Sequence, residues 1–581
     1  MRKFLLLLLL AVVSTGRVAA DEVTPASALQ VAQSVLGSVT RSGDIVVAWD
    51  SNNLAVTRSG NDAPSFYVVA MESGRGFVVV AGDDAIAPLL AYSLEYPAPD
   101  IHSMHPALEG WFRYVDSAVR YVRLNNIYAD SSTATQWAYP AVAKESIMLN
   151  TARWSQGEPY NRYCPMDGDY RSLTGCAQTA MAVIMHYYRW PEAATGVTEP
   201  FTTMTKGIDV ASRDLNHAYD WDNMLMDYVE GAYSDAEANA VAQLMADLGH
   251  SFKADYGWDG TGALPDAVAM YENYGYSPLC HYLMRDNFSL ESWNNMMRNE
   301  IERGRPVYYS GYTASEAGHA FVLDGVDAND YFHVNWGWGG ASDGFFKLDA
   351  LVLDDYVFDT NEWAYLGLLP LRDGVFDNWL YLYGEGLELT TEEFVRGEPF
   401  TIDNITIANP SVVDFEGEMC VGHCDIDGNF KSWVTSAVPF SLISGYANTC
   451  NELSALIEGE ICSGDRLRVF YRVSGSEAWS PMMPYLEGVC WEVVLKRPSI
   501  GDTTSFEFDR NRGVVELRFE SDVVATLRLL NEDITSGVEC SEGVMIIDTS
   551  YLRHDTAYTI YLERSNGESK SIMFTLNETV L

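Results

Sequence analysis

The sequence predicts an α+β protein that continues into all-β modules at its C-terminal end. Residues 21–125 mix helical and strand patterns, and residues 144–371 give helical patterns first and strand patterns later. The chain after Asp373 consists of short alternating runs. A chain of 581 residues is too long for one hydrophobic core, so three or four domains are expected.

The first twenty residues have the pattern of a secretory signal peptide. Two basic residues precede an apolar run from Phe4 to Val13, and a small-residue pattern ends at Ala20. The run is too short to remain as a transmembrane span, and no later stretch approaches the length of one. We therefore expect residues 1–20 to be removed and the protein to be secreted or held at the cell surface, without a membrane span.

Residues 21–143 are predicted to form a small α+β unit with a linker at its end. The strand-like runs 66–71 and 77–81 are separated by a glycine-containing turn, which predicts a hairpin. Residues 126–143 lose all periodicity and are rich in Ser, Thr and Ala, which indicates an exposed, protease-sensitive linker. Between them, one apolar stripe at helical spacing predicts a helix; its members are Leu108, Trp111, Phe112, Val115, Ala118, Val119 and Val122.

The last third of the chain has the pattern of two β-sandwich modules. Alternating apolar runs at 400–408, 466–473, 514–519 and 557–562 are separated by turn signals and show little helical periodicity. We place the modules at residues 372–498 and 499–581.

The charge excludes some classes of partner. Acidic residues outnumber basic ones 81 to 37, which gives a net charge of −44. Phosphate backbones and anionic lipid repel such a chain, so nucleic acid is not an expected partner.

Nine cysteines, an odd number, leave at least one thiol without an intramolecular partner. Cys164 and Cys280 could be buried thiols or a disulfide. Cys420, His423 and Cys424 have a spacing that a transition metal could use, but no fourth ligand is evident, and disulfides are the favoured interpretation in an exported module. No cofactor and no metal ion are expected.

Cys176 lies near the start of a predicted helix in TGCAQTAMAVIMHYYRWP, residues 174–191. Thr174 is predicted to cap this helix at about Gly175, and Pro191 to stop it. Free backbone N–H groups and the helix dipole stabilise a thiolate at this end, so Cys176 is a candidate nucleophile rather than a core cysteine.

Thiol catalysis also needs a base, a group that orients it, and donors for the oxyanion. His319 follows Cys176 by 143 residues, within the roughly 130–150 typical of papain-like enzymes. Asn335 or Trp336 could align its imidazole, and the amide of Gln156 could join the backbone N–H of Cys176 as an oxyanion donor. Of the other histidines, His333 is a rival base, and His186 is interpreted as a core residue.

Several motifs, in this order, resemble the streptopain family of cysteine peptidases, a papain-like group that includes the interpains. They are WSQGEPYN (154–161), TGCAQTAMAVIMHYYRWP, YDWDNM (219–224), GHAFVLDGVD (318–327) and FHVNWGWGGASDGFF (332–346). The resemblance implies a two-lobed papain-like endopeptidase over residues 144–371, acting on protein and peptide substrates. It also implies that residues 21–143 are an inhibitory propeptide and that the cleft prefers a bulky apolar residue just before the residue at the scissile bond.

The same resemblance assigns roles to residues. Cys176 is the expected nucleophile, His319 the base and Gln156 the oxyanion donor, while Asn335 and Trp336 remain alternatives for orienting His319. The main rival is a catalytically silent protein that binds a surface through its cleft and β modules. An acyl transferase that uses the same pair of residues is a third possibility.

Overall fold

The computed structural model divides the chain into two compact units, Met1–Asp377 and Asn378–Leu581. The predicted signal peptide lies outside the described residues. The structure describes residues 22–37, 45–54, 63–138, 146–312, 318–348, 360–374, 379–389, 394–462, 464–486, 489–496, 499–501, 503–520, 523–530, 532–541, 543–564 and 567–576.

The α-helices of the described residues all lie in the first unit, and none of them is long and apolar enough to cross a membrane. They are α1 (Pro25–Leu36), α2 (Pro106–Asn125), α3 (Ser131–Ala138), α4 (Cys176–Tyr188), α5 (Asp235–Ser251), α6 (Ala267–Glu272) and α7 (Leu290–Glu302).

An eleven-stranded antiparallel sheet runs through the first unit in the order β1-β2-β3-β4-β14-β13-β12-β11-β15-β10, with β5 paired to β12. Two short hairpins, β6-β7 and β8-β9, lie outside it. The strands are β1 (Ile45–Asp50), β2 (Phe66–Met71), β3 (Phe77–Ala81), β4 (Leu89–Ser93), β5 (Ser146–Met148), β6 (Met166–Asp167), β7 (Tyr170–Arg171), β8 (Phe201–Thr202), β9 (Asp209–Val210), β10 (His281–Met284), β11 (Val307–Tyr312), β12 (Gly318–Asp327), β13 (Tyr331–Asn335), β14 (Gly344–Lys347) and β15 (Thr360–Leu366).

The sheet joins the N-terminal segment, residues 22–138, to the rest of the unit. Strand β4 pairs with β14, with Tyr92 opposite Phe345, and the two rings stack 5.0 Å apart. The hydroxyl of Tyr92 also donates to Asp327 at 2.9 Å. The N-terminal segment is therefore held by backbone pairing as well as by side chains.

The predictions for the N-terminal segment are confirmed except in its linker. The predicted hairpin is β2-β3, and the predicted helix is α2, with six of the seven stripe residues fully buried. Helix α3 lies where the sequence predicts an unstructured linker. It has no apolar stripe and no buried residue, which is why periodicity does not reveal it. Trp137 holds this helix: its indole donates to the carbonyl of Ile86 at 2.8 Å, and its ring packs against the apolar cluster of the segment.

Helix α4 is the centre of the helical part of the unit. Its residues from Ala177 to His186 are all buried. The apolar residues among them belong to one cluster with residues of α5, such as Leu244, and of the sheet, such as Val322. Because α4 is buried on all sides, its position is fixed from every direction.

The second unit contains strands and two single-turn 3-10 helices within its described residues, and its two buried clusters span residues 380–495 and 500–576. Two clusters agree with two β modules, and the boundary at residue 498 stays a prediction. The strands are β16 (Tyr381–Tyr383), β17 (Glu388–Leu389), β18 (Pro399–Asp403), β19 (Ile405–Ala408), β20 (Phe415–Cys424), β21 (Phe430–Trp433), β22 (Val438–Leu442), β23 (Ala447–Cys450), β24 (Leu453–Leu456), β25 (Arg466–Val473), β26 (Ser480–Pro481), β27 (Met483–Pro484), β28 (Glu492–Val494), β29 (Ser505–Asp509), β30 (Val514–Arg518), β31 (Val523–Leu529), β32 (Glu532–Asp533), β33 (Glu539–Ser541), β34 (Val544–Asp548), β35 (Ala557–Arg564) and β36 (Ser569–Thr575).

All nine cysteines fall within the described residues, and all are free thiols. The prediction of disulfides in the C-terminal modules is therefore wrong. Cys420 and Cys424 lie four residues apart on the single strand β20, and a strand rises about 3.3 Å per residue, so these two cannot bridge each other.

Candidate active site

Cys176 is the first residue of helix α4, as predicted, but the helix begins differently from the prediction. The cap is Gly175, whose φ is 93°, and not Thr174. A Cβ at position 175 would lie 2.7 Å from the carbonyl oxygen of Thr261. Glycine therefore lets the start of α4 approach this neighbouring loop closely. The hydroxyl of Thr174 is used elsewhere and shares a hydrogen bond with that of Thr179 at 3.0 Å.

The sulfur of Cys176 is buried against the backbone of the residue after His319. Burial raises the pKa of the thiol, while hydrogen bonds from the backbone N–H groups of Ala320, Ala177 and Cys176 lower it, and the net direction is upward. In this state the neutral thiol is favoured over the thiolate.

His319 lies on β12 and is 4% exposed. Its Nε2 lies 3.0 Å from the carbonyl oxygen of Trp336, which can only accept, so Nε2 carries the proton. The other ring nitrogen, Nδ1, is thereby left as the basic atom. Burial, together with the charge of His105, lowers the pKa of His319 to about 3, against the raising effect of the Trp336 carbonyl. The neutral imidazole is therefore favoured over the imidazolium.

Asn335 does not contact His319 but holds the peptide that does. Its Oδ1 accepts the N–H of Gly337 at 3.2 Å, and this N–H belongs to the same peptide unit as the Trp336 carbonyl. Its amide nitrogen donates to the hydroxyl of Thr151 and to the carbonyl of Ala152, at 3.2 and 2.9 Å. Asn335 thus ties this peptide to the chain before α4.

Asp343 holds the other side of the same turn. It is buried, and its carboxylate accepts the N–H of Trp336 at 3.0 Å. Burial raises its pKa to about 7, against lowering effects that include His333 and the Trp336 N–H. Asp343 is not among the predicted site residues; its position seven residues after Trp336, in the turn that follows β13, is the signal in the sequence that points to it.

A histidine from the N-terminal segment covers the imidazole of His319. The ring of His105, the residue before α2, stacks on Trp338 at 4.1 Å and lies 4.9 Å from the ring of His319. Trp338 in turn stacks on Trp336 at 5.2 Å. Burial lowers the pKa of His105 to about 4. The sequence carries no periodicity or motif that points to this residue.

The backbone of Gln156 lies beside the start of α4. Its carbonyl accepts the N–H of Thr174 at 3.0 Å, two residues before Cys176. The side chain of Gln156 is half-buried and makes no hydrogen bond within the described residues. The amide is thus available to a ligand.

The two other histidines are held in different contacts. Nδ1 of His333 lies 2.6 Å from the carboxylate of Asp324. Burial lowers and Asp324 raises the pKa of His333, and the net direction is upward. His186 is buried with Nε2 3.1 Å from the carbonyl of Met224, which agrees with its interpretation as a core residue.

Comparison with known proteins decides the family. The model of the peptidase C10 family matches residues 154–346, and that of the Spi protease inhibitor matches residues 20–119. Streptopain of Streptococcus pyogenes is 33% identical over 323 residues, which cover 52% of this chain and 77% of streptopain. The chain belongs to the peptidase C10 family. This C10 protein is a cysteine endopeptidase made as a zymogen, with a papain-like catalytic domain, so a catalytically silent binding protein is not favoured.

Two further relatives of this C10 peptidase cover different parts of it. The thiol protease/hemagglutinin PrtT of Porphyromonas gingivalis is 30% identical over 464 residues, 75% of this chain and 51% of that protein. A structure of a prointerpain A fragment from Prevotella intermedia is 28% identical, with a TM-score of 0.45, and covers 52% of this chain and 96% of the fragment.

Proposed function

We propose that Cys176 is the nucleophile of this peptidase and His319 its base. The observation that supports these roles best is the bond from Nε2 of His319 to the Trp336 carbonyl, which leaves Nδ1 as the proton acceptor on the residue next to Ala320. The sulfur of Cys176 lies against the N–H of Ala320. The sulfur therefore lies beside the backbone of the residue that follows the proposed base.

The proposed reaction has two proton-balanced stages. Nδ1 of His319 takes the thiol proton, the thiolate attacks the scissile carbonyl carbon, and the imidazolium then protonates the leaving amine to give a thioester. In the second stage His319 takes a proton from water, the hydroxide attacks the thioester, and the proton returns to the sulfur as the acid leaves.

Gln156 is proposed as the side-chain donor to the oxyanion of both stages. Its amide has no hydrogen-bond partner within the described residues, and its backbone is bonded to Thr174 beside the nucleophile. Together with the backbone N–H of Cys176, it would stabilise the charge that develops on the carbonyl oxygen.

Asn335 and Trp336 are proposed to orient His319 together. The carbonyl of Trp336 is the direct partner of the imidazole, and Asn335 is a positioning residue that fixes this peptide through the N–H of Gly337. The alternatives that the sequence leaves open are thus two parts of one arrangement.

The N-terminal segment is proposed to inhibit its own catalytic domain by keeping both groups neutral. Nucleophilic attack requires a thiolate, yet burial raises the pKa of Cys176 and lowers that of His319. His105 contributes by covering His319. Removal of the segment returns the imidazole to water, raises its pKa and permits proton transfer from the thiol.

The remaining parts of the proposal concern location and substrate. The N-terminal sequence supports export as a signal-bearing precursor, and the enzyme is proposed to act outside the cell or at its surface on protein substrates, including those of a host. Residues 372–498 and 499–581 are proposed as two modules that follow the catalytic domain.

A labelling experiment tests the catalytic roles. The processed enzyme is treated with a peptidyl epoxide that alkylates active-site thiols, and the modified cysteine is identified by mass spectrometry. We expect labelling of Cys176 alone, abolished in Cys176→Ala and greatly slowed in His319→Ala. The matched control is Cys540→Ala, which removes an exposed thiol and should label like the wild type. Labelling that persists in Cys176→Ala would refute the proposal.

A further inference from the structure

An open cluster of aromatic rings lies on the outer face of the sheet that contains β20, β21 and β25. Phe430 and Trp433 of β21 are 47% and 38% exposed, although large apolar rings usually turn toward a core. Their centroids are 4.5 Å apart, and Trp433 lies 4.8 Å from Trp479, just before β26. We call these three residues the aromatic platform.

The platform is held rigid from below. The buried ring of Phe470 stands nearly perpendicular to Phe430 and Trp433, at interplanar angles of 83° and 89°. Gly422, opposite Trp433 on β20, leaves the space that the rings need. A Cβ at this position would lie 2.8 Å from Phe470 and 3.1 Å from Phe430. The rings are thus ordered before any ligand arrives, which lowers the entropy cost of binding.

Charged groups beside the platform are already paired. The guanidinium of Arg472 lies 4.7 Å above the ring of Trp479 and bonds to the carboxylate of Glu418 at 2.6 Å. Because the two charges cancel, this edge does not attract a partner of either sign. It still presents fixed N–H donors and carboxylate acceptors next to an apolar ring.

We propose that the aromatic platform is a binding site for a neutral oligosaccharide. One face of a pyranose ring carries only C–H groups, whose positive hydrogens are attracted to the negative face of an aromatic ring. Its rim carries hydroxyl groups that both donate and accept, as the Arg472–Glu418 pair requires.

This ligand agrees with the surface better than the other candidates do. An anionic polymer or an anionic lipid surface would be repelled by a chain with a net charge of −44. Arg472 offers it no compensating positive charge, because this guanidinium is already paired with Glu418. A protein partner would be expected to bury its anchors in pockets, whereas the platform is an exposed ring surface. The proposal does not depend on the catalytic roles assigned above.

The test uses the full chain after the signal peptide, carrying Cys176→Ala so that it does not digest itself. Binding of neutral oligosaccharides of glucose, mannose, galactose and N-acetylglucosamine is measured by calorimetry and by tryptophan fluorescence. At least one is expected to bind saturably, and Trp433→Ala should weaken its affinity about ten-fold or more, since loss of a stacked ring costs about 1.5 kcal/mol. Trp433→Phe, which keeps a ring, should recover part of the affinity.

The matched control is Tyr446→Ala, which removes a 66% exposed ring from the same unit outside the platform and should leave binding unchanged. Circular dichroism checks that each variant keeps its strands. The proposal is overturned if no oligosaccharide binds at millimolar concentration, or if Trp433→Ala binds as tightly as the parent. It is also overturned if the loss at Trp433 affects only binding to gelatin or to phosphatidylcholine vesicles, which would assign the platform to a protein or a membrane.

Discussion

Replacing His105 by alanine should open the active site of the intact zymogen. The His105 ring makes two aromatic contacts across the site, with Trp338 at 4.1 Å and with His319 at 4.9 Å. Each such pair contributes about 0.5–1.5 kcal/mol, so their loss should shift the equilibrium toward the open state by about 1–3 kcal/mol. That corresponds to roughly a 5- to 150-fold larger open population.

The assay is the rate at which iodoacetamide alkylates Cys176 in the unprocessed chain, followed by mass spectrometry. When opening is fast and rare, this rate is proportional to the open population. His102→Ala is the matched control, since it removes an exposed histidine three residues earlier in the same segment. Equal rates for His105→Ala and wild type, or an equal increase in His102→Ala, would refute the role of His105.

Three other predictions follow from the same contacts. Docking of the N-terminal segment lowers the pKa of His105 from 6.5 to about 4, so the undocked segment binds more protons. Docking should therefore weaken as pH falls from 6.5 toward 4. The rate of Cys176 alkylation, corrected for thiolate content, should rise with acid in the wild type and rise less in His105→Ala. Asn335→Ala should lower the kcat of the processed enzyme about ten-fold, the effect of one lost hydrogen bond, with a shifted acidic limb of its pH profile; an unchanged limb would assign Asn335 a structural role only. The pKa of Asp343 is raised to about 7 in the folded state, so the wild type should lose stability as pH rises from 5 to 8. Asp343→Asn has no such acid, so its Tm relative to that of the wild type should increase over the same interval. A difference in Tm that does not vary with pH would contradict the assignment.

Local patterns predicted much of this protein, and contacts between distant segments account for what they missed. The stripe of α2 and the runs of β2 and β3 follow directly from periodicity, because each element packs through one repeating face. Cys176 at the start of α4 was predictable for the same reason. The cap at Gly175 was not, since the choice of glycine depends on how closely Thr261 approaches it.

The surroundings of His319 show the same limit within the site. The sequence indicated Asn335 and Trp336 as neighbours of the imidazole. It did not indicate that Trp336 contacts the ring through its backbone carbonyl, or that Asn335 acts by accepting the N–H of Gly337 in the same peptide unit. His105 lies 214 residues before His319, and the pairing of β4 with β14 helps to bring the two together. No feature near either histidine encodes that pairing.

The backbone pairing between β4 and β14 also determines which surface is exposed when the N-terminal segment leaves. Cleavage between the N-terminal segment and the catalytic domain leaves the pairing of β4 with β14 intact, so a cleaved molecule keeps its segment until the two strands separate. Departure then turns β14 into an outer strand whose N–H and C=O groups, formerly opposite Tyr92 and Ala91, face the solvent. The mature enzyme thereby gains an exposed edge strand that its precursor lacks, and an extended polypeptide can bind along this edge by backbone pairing.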